Sequence, residues 1–297
     1  SNFLKLLLLL SFFKLTAQVK TDTTQLSEVK ISAGIINTKH QNSAISISEI
    51  SARDLNQTDG VIITSALNNI PGVTMRQGNL NTNRITIRGI GARSQFSTNR
   101  IKAYFDEIPL TNAEGESVVE DIDVETIGGI SVLKGPNNSM YGSGLGGVLL
   151  FKSKAISNSF AKTTTQLGSF GLWRQNVSAG FKNKNTNLSI NYNHLESDGF
   201  RDNSNYNRDA INLTGSLQLN DKSSLSFISI FTQLKAFIPS SINETDFNNN
   251  PEIAAANWAA AQGFESYDKV IFGLNYELNF TPNWQWTTSV FGNYKDA

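Results

Sequence analysis

The chain of 297 residues carries 25 Lys and Arg against 25 Asp and Glu, with 17% charged residues and a mean hydropathy of -0.24. That balance sets it apart from strongly basic nucleic-acid binders and from highly charged disordered chains. Cysteine is absent, which excludes disulfide scaffolds, thiolate metal sites and thiol catalysis, and no segment offers the ~20 apolar residues a spanning helix needs, so any membrane crossing falls to strands.

At the N-terminus, Lys5 precedes an apolar run from Leu6 to Leu10, Phe12 and Phe13 follow, and Thr16-Ala17 offers a small-residue exit. Residues 1–17 therefore read as a secretory signal cleaved near Ala17, and export follows. Residues 18–39 form a polar, threonine-rich leader. Within it Leu26-Ser27-Glu28-Val29-Lys30-Ile31-Ser32-Ala33 alternates Val29 and Ile31 with polar neighbours, the period of an extended strand.

Residues 40–155 mix short strands and helices in an α+β unit of ordinary domain size. Ser51 with Asp54 three residues on predicts a capped helical turn, and residues 59–69 read as a helix stopped by Ile70-Pro71-Gly72. Strands are expected at residues 85–87, 101–105 and 130–133. Between Gly135 and Leu150 a proline-started turn and five glycines lead into the apolar run Val148 to Phe151. Such a run specifies backbone shape, because glycine alone accepts positive φ and close main-chain approach at no Cβ cost. Gly142, Gly144 and Gly147 match G-x-G-x-x-G by spacing, but a strand follows where a helix is needed, and no acid stands between Glu125 and Glu196 to hold a ribose.

Over residues 156–297 the pattern changes to sustained period two. Trp173, Val177 and Phe181 alternate with Arg174, Asn176, Ser178 and Lys182; similar runs cover residues 188–192, 211–219, 272–280 and 284–294. Residues 225–234 are less regular, with Ile228 and Ile230 on the nominally polar side. A soluble sandwich shares this alternation. The connections favour a membrane barrel: after a first tight turn at residues 169–171, short turns at 183–186, 220–223 and 281–283 alternate with long links at 197–208 and 238–267, and outer-membrane barrels keep their short turns on the periplasmic side. The long links are then extracellular. Seven strands do not close an even-numbered barrel, so the chain is expected to be a fragment.

In order, five stretches resemble the signatures of TonB-dependent outer-membrane receptors: residues 26–33; Leu67-Asn68-Asn69-Ile70-Pro71-Gly72-Val73; Ile85-Thr86-Ile87-Arg88-Gly89; Tyr104-Phe105-Asp106-Glu107-Ile108-Pro109-Leu110; and Val132-Leu133-Lys134-Gly135-Pro136 through Tyr141-Gly142 to Gly147. The hairpin around Leu167-Gly168-Ser169-Phe170-Gly171 resembles the family's first barrel hairpin. The set is more specific than any member. The resemblance implies an α+β plug domain followed by antiparallel transmembrane β-barrel strands, the first ~7 of an expected 22, which at about 20 residues per strand takes roughly 440 residues. Two departures stand out: the family's usual Asp-Gly is Asp106-Glu107, and Ser131 replaces a common acid.

The resemblance also implies a role. A receptor in the bacterial outer membrane would take a scarce ligand, a ferric siderophore or other metal chelate, and import it when a partner pulls on the plug. Residues 26–33 would be the TonB box, adding as a strand to the TonB protein of the TonB-ExbB-ExbD complex. Arg88, Gly89, Asp106, Pro109, Lys134, Gly135, Pro136, Tyr141, Gly142, Gly146 and Gly147 would shape and gate the plug, with Arg88 joining it to barrel glutamates. Arg93 and Arg100, with Arg76 and Arg84, would offer positive charge to an anionic ligand. Outer-membrane lipid is the other partner. No extra domain stands between the cleavage point and Leu26, which speaks against transcriptional signalling and leans away from the family's carbohydrate branch.

No cofactor and no catalysis are expected. The two histidines, His40 and His194, fall in different domains, and Glu114, Glu116, Glu120, Asp121, Asp123 and Glu125 lack calcium-loop spacing and read as solvated surface. Asn176, Asn187, Asn212 and Asn279 match glycosylation triplets yet lie inside alternating strands. An oligosaccharide importer, a passive porin and a surface adhesin are the alternatives.

Overall fold

The computed structural model describes residues 45–91, 99–112, 114–136 and 138–297. All of these lie in one compact unit, Ser32–Ala297. The signal segment and the expected TonB box, Leu26 to Ala33, fall outside the described residues, as does Arg93.

The first layer is a five-stranded sheet in the order β1 (Ser46–Ser51), β6 (Ile127–Lys134), β7 (Gly147–Ser153), β4 (Ile101–Phe105), β5 (Ile108–Pro109), with β4 and β7 parallel and the other pairs antiparallel. Strand β7 is paired on both edges, by β6 and β4, and its unbroken apolar run Val148-Leu149-Leu150-Phe151 is buried on both faces. Beside the sheet lies the hairpin β2 (Val73–Asn79) and β3 (Thr82–Ile87).

Ser51 caps α1 (Ala52–Asn56) in a full capping box with Asp54, as expected. The helix expected over residues 59–69 is only α2 (Thr64–Asn68). Asp59 Oδ1 accepts from the Val61 and Ile62 amides, and Gly60 takes φ +70, so the first half is a side-chain-closed turn. Short polar side chains compete with helical bonding in this way, and the β-branched run Val61-Ile62-Ile63 adds little helix propensity to resist it.

The glycine-rich stretch does what its composition requires. Gly147 sits opposite Lys134 at φ +146, where a Cβ would lie 2.3 Å from the Leu133 carbonyl oxygen. The Gly146 amide donates to the Arg100 carbonyl and the Gly135 amide to the Gly146 carbonyl, tying α3 (Asn138–Tyr141) and its flanks onto the sheet.

The second layer is a seven-stranded antiparallel sheet in simple up-and-down order: β8 (Phe160–Leu167), β9 (Trp173–Lys182), β10 (Thr186–Ser197), β11 (Tyr206–Asn220), β12 (Ser223–Phe237), β13 (Phe264–Thr281), β14 (Trp284–Asp296). Its outward face carries exposed Val177, Leu188, Ile190, Ile211, Leu213, Phe231, Phe272 and Phe280, a broad apolar surface of the kind that meets lipid. The long link after β12 holds two short helices, α4 (Glu244–Asn249) and α5 (Ala256–Ala261). Arg201, between β10 and β11, gathers its base by donating to the Ser240 and Ile253 carbonyls.

The irregular face of β12 now has its reason. Ile228 and Ile230, with Ile271 of β13, point inward and join the same buried cluster as Phe105, Ile108 and Phe151 of the first layer. Gly273 on β13 leaves room for Ile108: a Cβ there would stand 2.3 Å from the isoleucine side chain. Those two strands are greasy inside because a folded domain rests on them.

Candidate functional site: the seat of the inner domain

The inner domain meets the wall through a strip of acids. Residues 118–126 run from the sheet into a 3-10 turn (Val124–Thr126) capped by Asp123, whose side chain accepts from the Glu125 amide. This places Asp121 and Asp123 side by side against the wall, only 3% and 2% exposed. Asp121 accepts from the Tyr267 hydroxyl at 2.6 Å and from Lys269 Nζ at 2.7 Å. Asp123 accepts from Arg174 Nη2 at 3.0 Å and Asn176 Nδ2 at 3.1 Å. Arg208 donates to the Glu120 carbonyl at 2.9 Å and to Asn193 Oδ1 at 2.9 Å. Lower on the wall Glu125 pairs with Lys162.

Buried charges are tolerated only when paired and hydrogen-bonded, and here Asp121 and Asp123 each have two donors supplied by the opposite layer. The expectation of a solvated acidic surface is therefore corrected for Asp121 and Asp123, whose place in the sequence does not show that a basic wall covers them, while Glu114 is exposed as expected. Among the described residues Glu120 makes no ion pair. Burial, then the Asp121 carboxylate, push its carboxyl up to about 7, and it lines two small cavities, one of ≈ 10 Å³ at the junction with the wall and one of ≈ 20 Å³ inside the plug, each large enough for about one water. Burial pushes the Glu125 carboxyl up as well, but the Lys162 hydrogen bond and the Lys154 charge outweigh it and leave it below the usual range.

The hairpin tip ties the domain to the loop side. Asn79 Nδ2 donates to the Phe237 carbonyl at 2.8 Å and Asn81 Nδ2 to Glu265 Oε2 at 3.2 Å, at the ends of β12 and β13 that carry the long link. Leu80 packs onto Leu195, Tyr206, Leu234 and Tyr267 of the wall.

The sequence-derived positions are spread over the inner domain. Arg88, at φ 50, and Gly89, at φ 80, close β3, with the Arg88 amide on the Gly72 carbonyl. The Arg88 side chain is exposed and makes no ion pair among the described residues; its charge, after burial, depresses the Lys134 ammonium. Lys134 donates to the Pro71 carbonyl at 2.7 Å. Gly135 at φ 111, Pro136 and Gly142 at φ 71 lie around α3. Asp106 itself adopts φ 49 and accepts from the Ser153 amide, so the turn that lacks its glycine is made by the aspartate. Pro109 pairs with Tyr104 across the β4–β5 ladder. Tyr104 and Tyr141 pack edge to face at 5.3 Å. Burial, then Glu107, push the Tyr141 hydroxyl up to about 12. Arg100 is exposed, and Arg76 and Arg84 face each other across the hairpin. Ser131, where the acid is missing, still meets Glu49 at 3.5 Å.

A sheet apolar outside and polar inside, occupied by a separate α+β domain held by buried ion pairs, defines a plugged outer-membrane β-barrel. Comparison with known proteins agrees. Residues 39–148 match the TonB-dependent Receptor Plug Domain. The "Iron-regulated outer membrane virulence protein" of Vibrio cholerae is 32% identical over 133 residues, 44% of this chain and 20% of that protein. Among solved structures, the ferric citrate transporter FecA in its unliganded form gives a TM-score of 0.67 at 18% identity over 85% of this chain and 40% of its own. The ferric yersiniabactin uptake receptor FyuA from Yersinia pestis gives 0.64 at 14%, over 84% and 41%; P. aeruginosa FpvA bound to a pyoverdine gives 0.64 at 16%, over 86% and 34%. Residues 39–148 thus carry a plug domain of the TonB-dependent receptor type, and the fold over most of the chain is that of the solved structures it resembles. The chain spans about a fifth of the curated relatives it matches and about two fifths of FecA.

Proposed function

We propose that this chain is part of an active importer that carries a ferric chelate across the outer membrane, with Leu26 to Ala33 as the segment that the TonB protein grips. The observation that carries the reading is the seat itself. The plug is held by Asp121 and Asp123 through a few buried ion pairs beside the apolar contact in which Ile228, Ile230 and Ile271 of the wall join its core. Such pairs contribute little net stability while intact, yet fix position strongly. A domain attached this way can be displaced by a pulled segment and return to one register.

Iron is favoured by the names of the similar proteins: an iron-regulated protein and carriers of ferric citrate and ferric yersiniabactin. A structural neighbour that carries copper supplies the main competitor. Radio-iron uptake should be followed in cells expressing the full-length protein, with ferric citrate and a ferric catecholate as probes, with and without TonB, beside copper and maltooligosaccharide arms. TonB-dependent iron accumulation is the expected outcome. Uptake confined to copper or to sugar would overturn the ligand assignment, and iron uptake indifferent to TonB would overturn the gating.

A further inference from the structure

The long link between β12 and β13, residues 238–263, has no core of its own. Only Pro239 and Ala254 in it are buried. Its helices α4 and α5 are six residues each, well below the about 12–15 residues at which a helix begins to hold itself in water. A connection this long without internal packing takes its shape from something outside it.

The link between β10 and β11 supplies that shape. Arg201 Nε and Nη2 donate to the Ile253 carbonyl at 3.1 and 2.7 Å, and Nη1 donates to the Ser240 carbonyl at 2.6 Å. The Asp202 amide donates to the Glu252 carbonyl at 2.7 Å. Asn203 Nδ2 donates to the carbonyls of Ile238 at 2.8 Å and Gly263 at 3.1 Å, the first and last residues of the long link. Three consecutive residues thus grip it at both ends and in the middle. Asn203, Ser240 and Gln262, at or beside these grips, all adopt positive φ without being glycine, and such backbone persists only where its surroundings over-determine it.

The framework extends to either side. The Phe170 carbonyl in the β8–β9 turn accepts from the Asp198 amide at 2.8 Å and from Ser197 Oγ at 3.1 Å. On the other side Asn79 of the plug hairpin holds the Phe237 carbonyl at the foot of the long link. Three successive links and the hairpin tip are therefore hydrogen-bonded into one ledge. Arg201 carries its most branched contact, and the planar fork of a guanidinium reaches separated carbonyls together, as a single ammonium does not.

We propose that Arg201 is a positioning residue for ligand capture: it holds residues 238–263 as a preformed ledge beside the hairpin tip, so that the chelate meets a fixed surface and binding does not have to offset the ordering of the link. The inference rests on the import reading. Arg201→Lys separates positioning from charge, because lysine keeps the positive charge that would attract an anionic chelate and loses the fork.

Because the chain has no cysteine, Asn207→Cys on β11 and Asn248→Cys on α4, both exposed, can be spin-labelled as a pair in the full-length protein in the outer membrane. Their distance distribution is then measured with and without ferric citrate or a ferric catecholate. One narrow distribution is expected in every condition, and a broad one once Arg201→Lys is added. In uptake, Arg201→Lys should raise the chelate concentration for half-maximal rate several-fold while the maximal rate is nearly kept. A narrow distribution in the lysine variant, a wild type that narrows only when chelate is added, or a half-maximal concentration that lysine leaves unchanged would each overturn the proposal. If Arg201→Lys fails to assemble, Asn203→Asp, which loses both amide donors yet tolerates the positive φ, takes its place with the same readings. A wild type that imports neither chelate would strike the import reading alone, and the distance measurement then decides on the ledge.

Discussion

Asp121 of the plug and Lys269 of β13 meet at 2.7 Å with both side chains 4% exposed, so the plug supplies the acid and the wall the base. The family resemblance directs attention to Arg88 and a wall glutamate instead. Within the described strands the charge runs the other way.

Removing one partner of such a pair leaves the other buried and uncompensated, at a cost of about 3–5 kcal/mol. Lys269→Met should therefore let protease reach the plug of the full-length protein at a markedly lower urea concentration than in the wild type. Lys295→Met, which breaks the half-exposed pair with Glu265, should shift that concentration little, since exposed pairs contribute about 0–1 kcal/mol. Equal shifts for the two variants would deny the seat its special role.

Gly147→Ala should prevent assembly. At φ +146 an L side chain is strained by about 1–3 kcal/mol, and the added Cβ would stand 2.3 Å from the Leu133 carbonyl oxygen, forcing β6 and β7 apart. Loss of the heat-modifiable band from outer-membrane fractions is the expected reading. Gly142→Ala, whose Cβ meets nothing within 4 Å, should assemble at a reduced level, and the reverse ranking would contradict the account.

Glu120 makes the seat weaken with rising pH. Its carboxyl is pushed from 4.5 up to about 7, so the folded state prefers the protonated form; that preference is complete below about pH 4.5 and lost as pH rises through about 7. The span corresponds to at most about 3 kcal/mol. Glu125, held low by Lys162 after burial is overcome, works in the opposite sense, with stability present above its ordinary value and lost only in acid. The urea–protease assay at about pH 5 and about pH 8 should show a tighter seat at the lower value, and Glu120→Gln should flatten the difference. A Gln variant with the same slope would assign the effect elsewhere.

Val29→Pro in the expected TonB box should abolish uptake while leaving surface binding intact, because proline removes a ladder donor from an added strand. Transport at the wild-type rate would show that the grip lies elsewhere.

Much of the fold is legible in the residues. Period two in residues 173–182 and 284–294 marks wall strands, and the alternation of short and long links sets their direction, because a half-wet strand shows its two faces in sequence. Ser51 and Asp54 announce their cap locally. What is not legible depends on the opposite layer. Ile228 and Ile230 look misplaced until Ile108 is seen across from Gly273. Asp121 and Asp123 look solvated until Tyr267 and Arg174, far along the chain, come to rest on them. Gly60 and Asp59, by contrast, carry a local signal for the turn that shortens α2, outweighed in reading by the apolar residues after it.

The most direct test of a plug seated on this wall is a disulfide across the seat. Asp123→Cys with Asn176→Cys, introduced together into the otherwise cysteine-free protein, replaces a side-chain contact of 3.1 Å. The account predicts an intramolecular crosslink in the outer membrane and ferric-chelate uptake that returns only on reduction. Free thiols at both positions in the assembled protein, or a crosslink that leaves uptake untouched, would contradict it.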